Sequence, residues 1–285
     1  MNRYPIRSVA LIARDATSRS ASLSEEMGRW FAARNIPCVR LLYDQRGCDL
    51  PAMLDGAALA IVLGGDGTFV GVARKLAADP KPILGVNLGR VGFLAEVSPD
   101  FWESAFSRML DNGVRLESGM VLSYSLMRGS QCLQAGLAVN DLVVSRGGPA
   151  RLVSLALMVD DIRLARLRAD GLIVATPTGS TGYTSSAGGP LLHPGISAFS
   201  ITPTCPFMSH FSPMVVAGAT HFSVRVDAAG PGTYLTVDGQ ESVELRAGDV
   251  LETTGKQDGI RFARIDDAGY FAKLRSAGFV RDFAG

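Results

Sequence analysis

The sequence predicts an α/β domain with a parallel sheet, followed by a β-rich, β-sandwich-like domain, with a last helix that packs back on the first domain. Three observations predict it. In the first third, short apolar runs alternate with stretches of helical period, the pattern of a parallel sheet covered on both faces. After about residue 116 the chain carries many short, β-branched-rich runs separated by Gly, Pro, Asp and Asn, the pattern of antiparallel β architecture. Finally, Tyr270–Ser276 is again helical, and its apolar Phe271 and Leu274 need a helical layer to cover. The expected division is an α/β domain over 1–116, a β-rich domain over 117–255 and a returning segment over 256–285.

The elements follow in order. Ser8–Ile12 reads as a buried strand. The stretch from Ser22 to Asn35 places Leu23, Met27, Trp30 and Phe31 on one helical face, with Ser22 and Glu25 at the spacing of a capping box. Cys38–Leu42 and Leu59–Leu63 are further strands, and a helix is expected from Thr68 to Ala78, stopped by Asp79-Pro80. The strand Ile83–Val86 leads into a glycine-spaced loop and a helix from about Pro99 to Asp111. The expected strands of the second half are Leu122–Met127, Leu137–Ser145, Leu152–Val159, Gly171–Thr176, Phe199–Thr202, His221–Val226, Tyr234–Val237 and Val250–Thr253, with a helical turn near Thr181–Ala187.

Composition narrows the function classes. With 47% hydrophobic and 19% charged residues among 285, the chain has material for packed cores, which excludes disorder as the default. A net charge of +1, without any Lys/Arg block, argues against a nucleic-acid partner. Arg14 and Asp15 interrupt the one short apolar run near the N-terminus, so it does not read as a signal peptide. No stretch approaches the ~18 apolar residues of a membrane span. Cys38, Cys48, Cys132 and Cys205 show no CxxC spacing and read as thiols, so a cytoplasmic location without membrane partners is expected. His193, His210 and His221 stand singly, and the sequence identifies no metal ligands.

Two segments carry chemistry. Gly64-Gly65-Asp66-Gly67-Thr68 follows directly on a buried strand and opens a helix. Glycine lets a phosphate approach the main chain, and the helix N-terminus offers N–H groups to an anion, so Gly64, Gly65, Gly67 and Thr68 form a candidate phosphate-binding loop. No Gly-Lys-Ser/Thr follows and no GxGxxG is present, so this is neither a Walker P-loop nor the ordinary dinucleotide fingerprint. Read alone, the turn also suits a strand-to-helix connection with a capping aspartate. The second segment, Asp170 to Gly189, combines many hydroxyls with five glycines and Pro177. Such a loop presents N–H and hydroxyl groups to a polar ligand, and its embedded Leu172-Ile173-Val174 strand and Tyr183 are foreign to a solvated linker.

In order and separation, GGDGT, Asn140-Asp141, DGLIVATPTGSTGY with SAGGP, and Asp238-Gly239-Gln240 closely resemble the NAD kinases, over roughly Leu59 to Gln240. The loop Gly85–Asp100 is similar to that family's region as well. The resemblance implies transfer of the γ-phosphoryl group of ATP to the 2′-hydroxyl of NAD's adenosine ribose, giving NADP. It implies Asp66 as the catalytic residue and Gly67 as backbone beside the substrate. It implies Asn140 and Asp141 on sugar hydroxyls, and Arg168 and Asp170 as ligand contacts. Thr181, Gly182, Tyr183, Thr184, Ser185 and Ser186 would enclose adenosine, with Gln240 another polar contact. A divalent cation, Mg²⁺, is implied with ATP, and so is a homodimer or homotetramer with shared pockets. The chain departs from the family's pattern where Gly182 replaces alanine and where Phe207 and Ser212 replace a histidine and an arginine. The alternative readings are a lipid kinase with a GGDG turn and a non-catalytic NAD(P)-binding sensor.

Overall fold

The computed structural model describes residues 3–16, 19–43, 49–88, 92–148, 152–208, 210–266 and 269–280. Cys48, the Gly89-Arg90-Val91 part of the glycine-spaced loop and Ser209 lie outside the described residues. The chain forms two compact units, one from Met1–Ser118 with Ile260–Gly285 and the other from Gly119–Gly259.

In the first unit, β1 (Val9–Ala13), β2 (Cys38–Leu42), β3 (Leu59–Gly64) and β4 (Pro82–Asn87) pair in the order β2-β1-β3-β4, all parallel. β1 and β3 are buried along their whole length, as strands covered on both faces must be. One face packs on α1 (Arg19–Ala32) and α4 (Trp102–Asn112), where Phe31 and Phe106 stack with centroids 5.5 Å apart. The short α2 (Leu50–Met53) and α3 (Asp66–Leu76) pack together, and α3 lies on β3 and β4. α1 starts before Ser22, so Ser22 and Glu25 lie within the helix and do not cap it.

The second unit is a pair of sheets around one core. β5 (Arg115–Arg128) enters it and forms a hairpin with β6 (Gln131–Ala138). β8 (Val153–Val159) and β9 (Ile162–Ala169) form another, turning at Asp160-Asp161 with φ of 45° and 65°, the left-handed pair that a tight hairpin turn requires. β13 (Phe222–Ala228) lies between β8 and the long β16 (Val250–Arg264). The other sheet is antiparallel throughout. It runs β12 (Met214–Ala217), β11 (Ala198–Thr204), β10 (Gly171–Ala175), β7 (Asp141–Ser145), β14 (Tyr234–Val237), β15 (Glu241–Glu244). Leu155, Leu157, Phe222 and Val224 from the first sheet meet Leu142, Leu172, Val174, Phe199 and Leu235 from the second in a single buried cluster.

Three differences from the sequence reading stand out. The strand expected over Leu137–Ser145 is broken between Ala138 and Asp141, which leaves Asn140 in the break. β9, β12 and β15 were not expected, and β16 continues well past Thr253, so that Arg261 and Phe262 pair in parallel with β4. In the last helix, α6 (Tyr270–Ser276), Leu274 is buried as expected but Phe271 is 72% exposed. Leu274 is its buried apolar residue, joined by a ring contact from Tyr270 to Phe93 and an ion pair from Lys273 to Glu96.

Candidate active site

The first cluster forms where β3 ends. Gly65 is the N-cap of α3 in extended conformation, Asp66 is the first helical residue, and the N–H groups of Thr68 and Phe69 donate to the Gly65 carbonyl. The Asp66 carboxylate does not cap its own helix. Its Oδ2 accepts the Phe93 N–H at 2.8 Å and its Oδ1 the Leu94 N–H at 3.3 Å, both from the segment after β4. Gly92 is required for this: a Cβ there would stand 2.2 Å from Asp66 Oδ1. Gly64 packs tightly under the Thr68 side chain, whereas the outer faces of Gly65 and Gly67 are open. The turn thus holds one carboxylate rigidly at the carboxyl end of a parallel strand, where α/β sheets gather ligands.

The second cluster forms at the β6–β7 break. Asp238, at φ 53° in the turn after β14, accepts three backbone N–H groups, those of Val139 (3.1 Å), Asn140 (2.7 Å) and Asp141 (3.1 Å). Thr176 closes the other side, its hydroxyl donating to the Val139 carbonyl at 2.6 Å and accepting the Gly179 N–H at 3.0 Å. Gly179 lies so close that a Cβ would come within 2.1 Å of the Asn140 carbonyl oxygen. Asn140 Oδ1 is buried with no hydrogen-bond partner, an exception that buried polar atoms rarely show. Asp141 is buried, and that burial, with the Asp238 charge beside it, pushes its carboxyl up to about 7.

The loop carrying the remaining hydroxyls begins here. Thr181 closes a 3₁₀ turn, Gly182 precedes α5 (Tyr183–Ser186), and Ser185 donates to the Gly182 carbonyl at 3.0 Å. Tyr183 is half exposed. Thr184 is fully buried beneath the helix, and Ser186 is its last residue. Gln240 belongs to the same turn as Asp238, its N–H donating to the Val237 carbonyl.

The structure parts Arg168 and Asp170 from this group. They precede β10, whereas Asn140, Thr176 and the hydroxyl loop lie at its far end, five residues away, or roughly 17 Å along a strand. Asp170 pairs with Arg146 at 2.7 Å. The exposed Arg168 guanidinium lies 5.7 Å from the centre of the Phe207 ring, and the Phe207 N–H donates to the Arg168 carbonyl at 2.8 Å. Phe207, read in the sequence as a departure, is therefore the partner of Arg168. Sequence reasoning missed Asp238 as an anchor, along with Thr176 and Gly92. Only Asp-Gly at 238–239 carried a turn signal, and nothing local marks three inward-pointing N–H groups.

The structure thus carries two candidate clusters, a glycine-framed carboxylate at a strand end and, on the antiparallel unit, an amide-lined polar loop. Two family models match the chain, the ATP-NAD kinase N-terminal domain over residues 49–114 and the ATP-NAD kinase C-terminal domain over residues 139–264. The chain is 45% identical over 281 residues to the NAD kinase of Nitratidesulfovibrio vulgaris strain DP4, covering 99% of this chain and 94% of that one. It is 44% identical to the NAD kinase of Oleidesulfovibrio alaskensis, covering 97% and 94%. The chain belongs to the NAD kinase family and has NAD kinase function. The crystal structure of an NAD kinase from Archaeoglobus fulgidus in complex with ATP matches with a TM-score of 0.74 at 27% identity, over 95% of this chain and all of that one. Yeast NADH kinase complexed with NADH has the same fold, with a TM-score of 0.82 at 21% identity, covering 98% of this chain and 89% of that one. Family membership sets aside the lipid-kinase reading.

Proposed function

We propose that Asp66 is the general base of the NAD kinase reaction and that Asn140, Asp141, Gln240 and the Thr181–Ser186 loop bind NAD. The observation that carries this is the Asp66 carboxylate, fixed by two N–H donors beside the open Gly65 and Gly67. The ribose 2′-hydroxyl oxygen attacks the γ-phosphorus of ATP, the bond to the bridging oxygen breaks, and ADP leaves. Asp66 aims the hydroxyl and takes its proton as the new bond forms. Asn140 Oδ1, unpartnered within the protein, suits a sugar hydroxyl donor. Gly64, Gly65, Gly67 and Thr68 supply the turn on which the triphosphate lies.

Mg²⁺ enters as part of the triphosphate substrate. Among the described residues there is no group of three or more His, Cys, Asp or Glu that would hold a metal by itself. An ion of this kind keeps several waters and is held largely by the substrate's own phosphates. A homodimer or homotetramer joined through the β-rich units explains why Arg168 and Asp170 lie at the far end of β10, since they would serve a neighbouring subunit's pocket. β9 and β12 end their sheets and expose Ile162, Leu164 and Val215, the apolar edges that such contacts cover. Arg168→Ala should raise the KM for NAD, and light scattering that shows a fully active monomer would refute the shared pocket. The exposed free thiols of Cys132 and Cys205 suit the reducing cytoplasm.

The test of the base is Asp66→Asn, which keeps the shape and a hydrogen bond but not the proton acceptor. Its kcat should fall by roughly 10²–10⁴, with a much smaller effect on KM for NAD. Normal turnover in a folded Asp66→Asn protein would assign the base elsewhere.

A further inference from the structure

The segment that holds Asp66 is itself held by the end of the chain. Its C-terminal side is tied to β4, where the Glu96 and Val97 N–H groups donate to the Gly85 carbonyl. Glu96, its side chain 5% exposed, then receives two cations on one carboxylate oxygen, Arg264 at 3.0 Å from the end of β16 and Lys273 at 2.8 Å from α6. Arg264 is fixed in turn by Glu117 at 2.9 Å. On the other side, the Phe93 ring meets Tyr270 and Phe279 edge-on at 5.7 and 6.1 Å. Phe93, one of the two residues whose N–H groups grip Asp66, and Glu96, two residues past Leu94, are thus clamped by side chains from Arg264 onward, mostly around α6.

We propose that Glu96, Arg264 and Lys273 are positioning residues for Asp66, so that the C-terminal helix sets the rate of phosphoryl transfer through the segment 92–97. The inference rests on the reading of Asp66 as the base. A buried ion triad is poor evidence for stability, because desolvation offsets most of the attraction, but it fixes geometry well when each charge has several partners. Burial and the Arg264 charge push the Lys273 ammonium below its ordinary range, while Glu96 and Glu117 draw it back. A displaced pair of N–H donors would leave the Asp66 carboxylate near the acceptor hydroxyl but out of line. Misplacement of that kind costs turnover more than binding.

The experiment compares Lys273→Met, Lys273→Arg, Asp66→Asn and the double variant Asp66→Asn/Lys273→Met in steady-state kinetics. Lys273→Met leaves Glu96 paired to Arg264, so no buried charge is abandoned. Its kcat should fall between about tenfold and a hundredfold, with KM for NAD and ATP within about twofold, and Lys273→Arg should recover most of the loss. On the Asp66→Asn background, Lys273→Met should cost almost nothing more, because both act through one carboxylate. Unchanged kcat in Lys273→Met, or a loss that adds in full to that of Asp66→Asn, would overturn the proposal. Normal turnover in Asp66→Asn alone would instead overturn the reading of the base, whatever Lys273→Met does. If circular dichroism shows Lys273→Met unfolded, Glu96→Gln replaces it, with the same expected loss, and a normal kcat there refutes the clamp.

Discussion

Asp141 sits in surroundings that a carboxylate does not prefer. It is buried at the β6–β7 break beside Asp238, whose own charge is spread over three backbone N–H groups. With its carboxyl pushed up to about 7, first by burial and then by Asp238, Asp141 is protonated in the folded protein over a range where the unfolded chain ionises it. From about pH 4 to about pH 7 the folded state therefore binds more protons, and its stability falls as pH rises. The contribution is fully present below about pH 4 and lost as pH passes about 7. Asp141→Asn, neutral at every pH, should have a melting temperature that gains on the unsubstituted protein between about pH 5 and about pH 8, by the equivalent of on the order of 2 kcal/mol. Melts of both proteins without nucleotide check this. A constant difference across that range would mean that Asp141 ionises as an ordinary carboxylate does.

At the scale of elements, the second cluster depends on the hydroxyl loop sitting directly against the β6–β7 break. Gly179→Ala would set a Cβ 2.1 Å from the Asn140 carbonyl oxygen, so the loop must move away from the residues proposed to hold NAD. The bond from the Gly179 N–H to Thr176 Oγ1 and that from the Thr176 N–H to the Asn140 carbonyl would both be strained. We expect KM for NAD to rise by about tenfold or more while KM for ATP stays nearly unchanged, with about 1–3 kcal/mol of stability lost to overpacking. Unaltered NAD affinity in Gly179→Ala would mean that the loop does not form that pocket. Among the elements the sequence disclosed, the plainest were those with two buried faces, though the exposed edge strand β2 was read as well. β1, β3 and β10 are apolar along their length, and periodicity finds such runs. The strands it missed, β9, β12 and β15, end their sheets, and β9 carries Arg163, Arg166 and Arg168 outward. A strand that ends a sheet is paired on one side only and is often short or charged, so burial leaves less trace in the sequences of these three. The same logic covers the site. Asp66 sits in a glycine pattern that local chemistry explains, whereas Phe93, Asp238 and Glu96 act through contacts from distant parts of the chain, to which no local spacing corresponds.

At the scale of the whole molecule, the chain order differs from the order of folding units. The first unit is made of two separate stretches, and the second is inserted between them. The closing stretch is not an accessory to the first unit. Arg261 and Phe262 extend its parallel sheet beside β4, Phe262 stacks on Phe69 of α3, and Ala263 and Ile265 lie in its core. Residues 1–118 alone would expose β4 as an unpaired edge and lose those contacts, which for a unit of this size is a large share of a net stability of about 5–15 kcal/mol. Residues 119–259, by contrast, contain the whole six-stranded sheet, β6, β8, β9 and β13 with most of β5 and β16 from the other, and the large buried cluster between them. Their two ends lie side by side: a Cβ on Gly259 would fall 2.2 Å from a methyl of Val121. The piece 119–259 should therefore melt cooperatively and give dispersed amide resonances when produced alone. Residues 1–118 should not, and joining 1–118 to 260–285 through a short glycine linker should restore a cooperative transition. Thermal melts followed by circular dichroism, with amide spectra of the three pieces, decide the matter. A cooperative transition in 1–118 alone, or none in the joined protein, would mean that the returning stretch is not what completes the first unit.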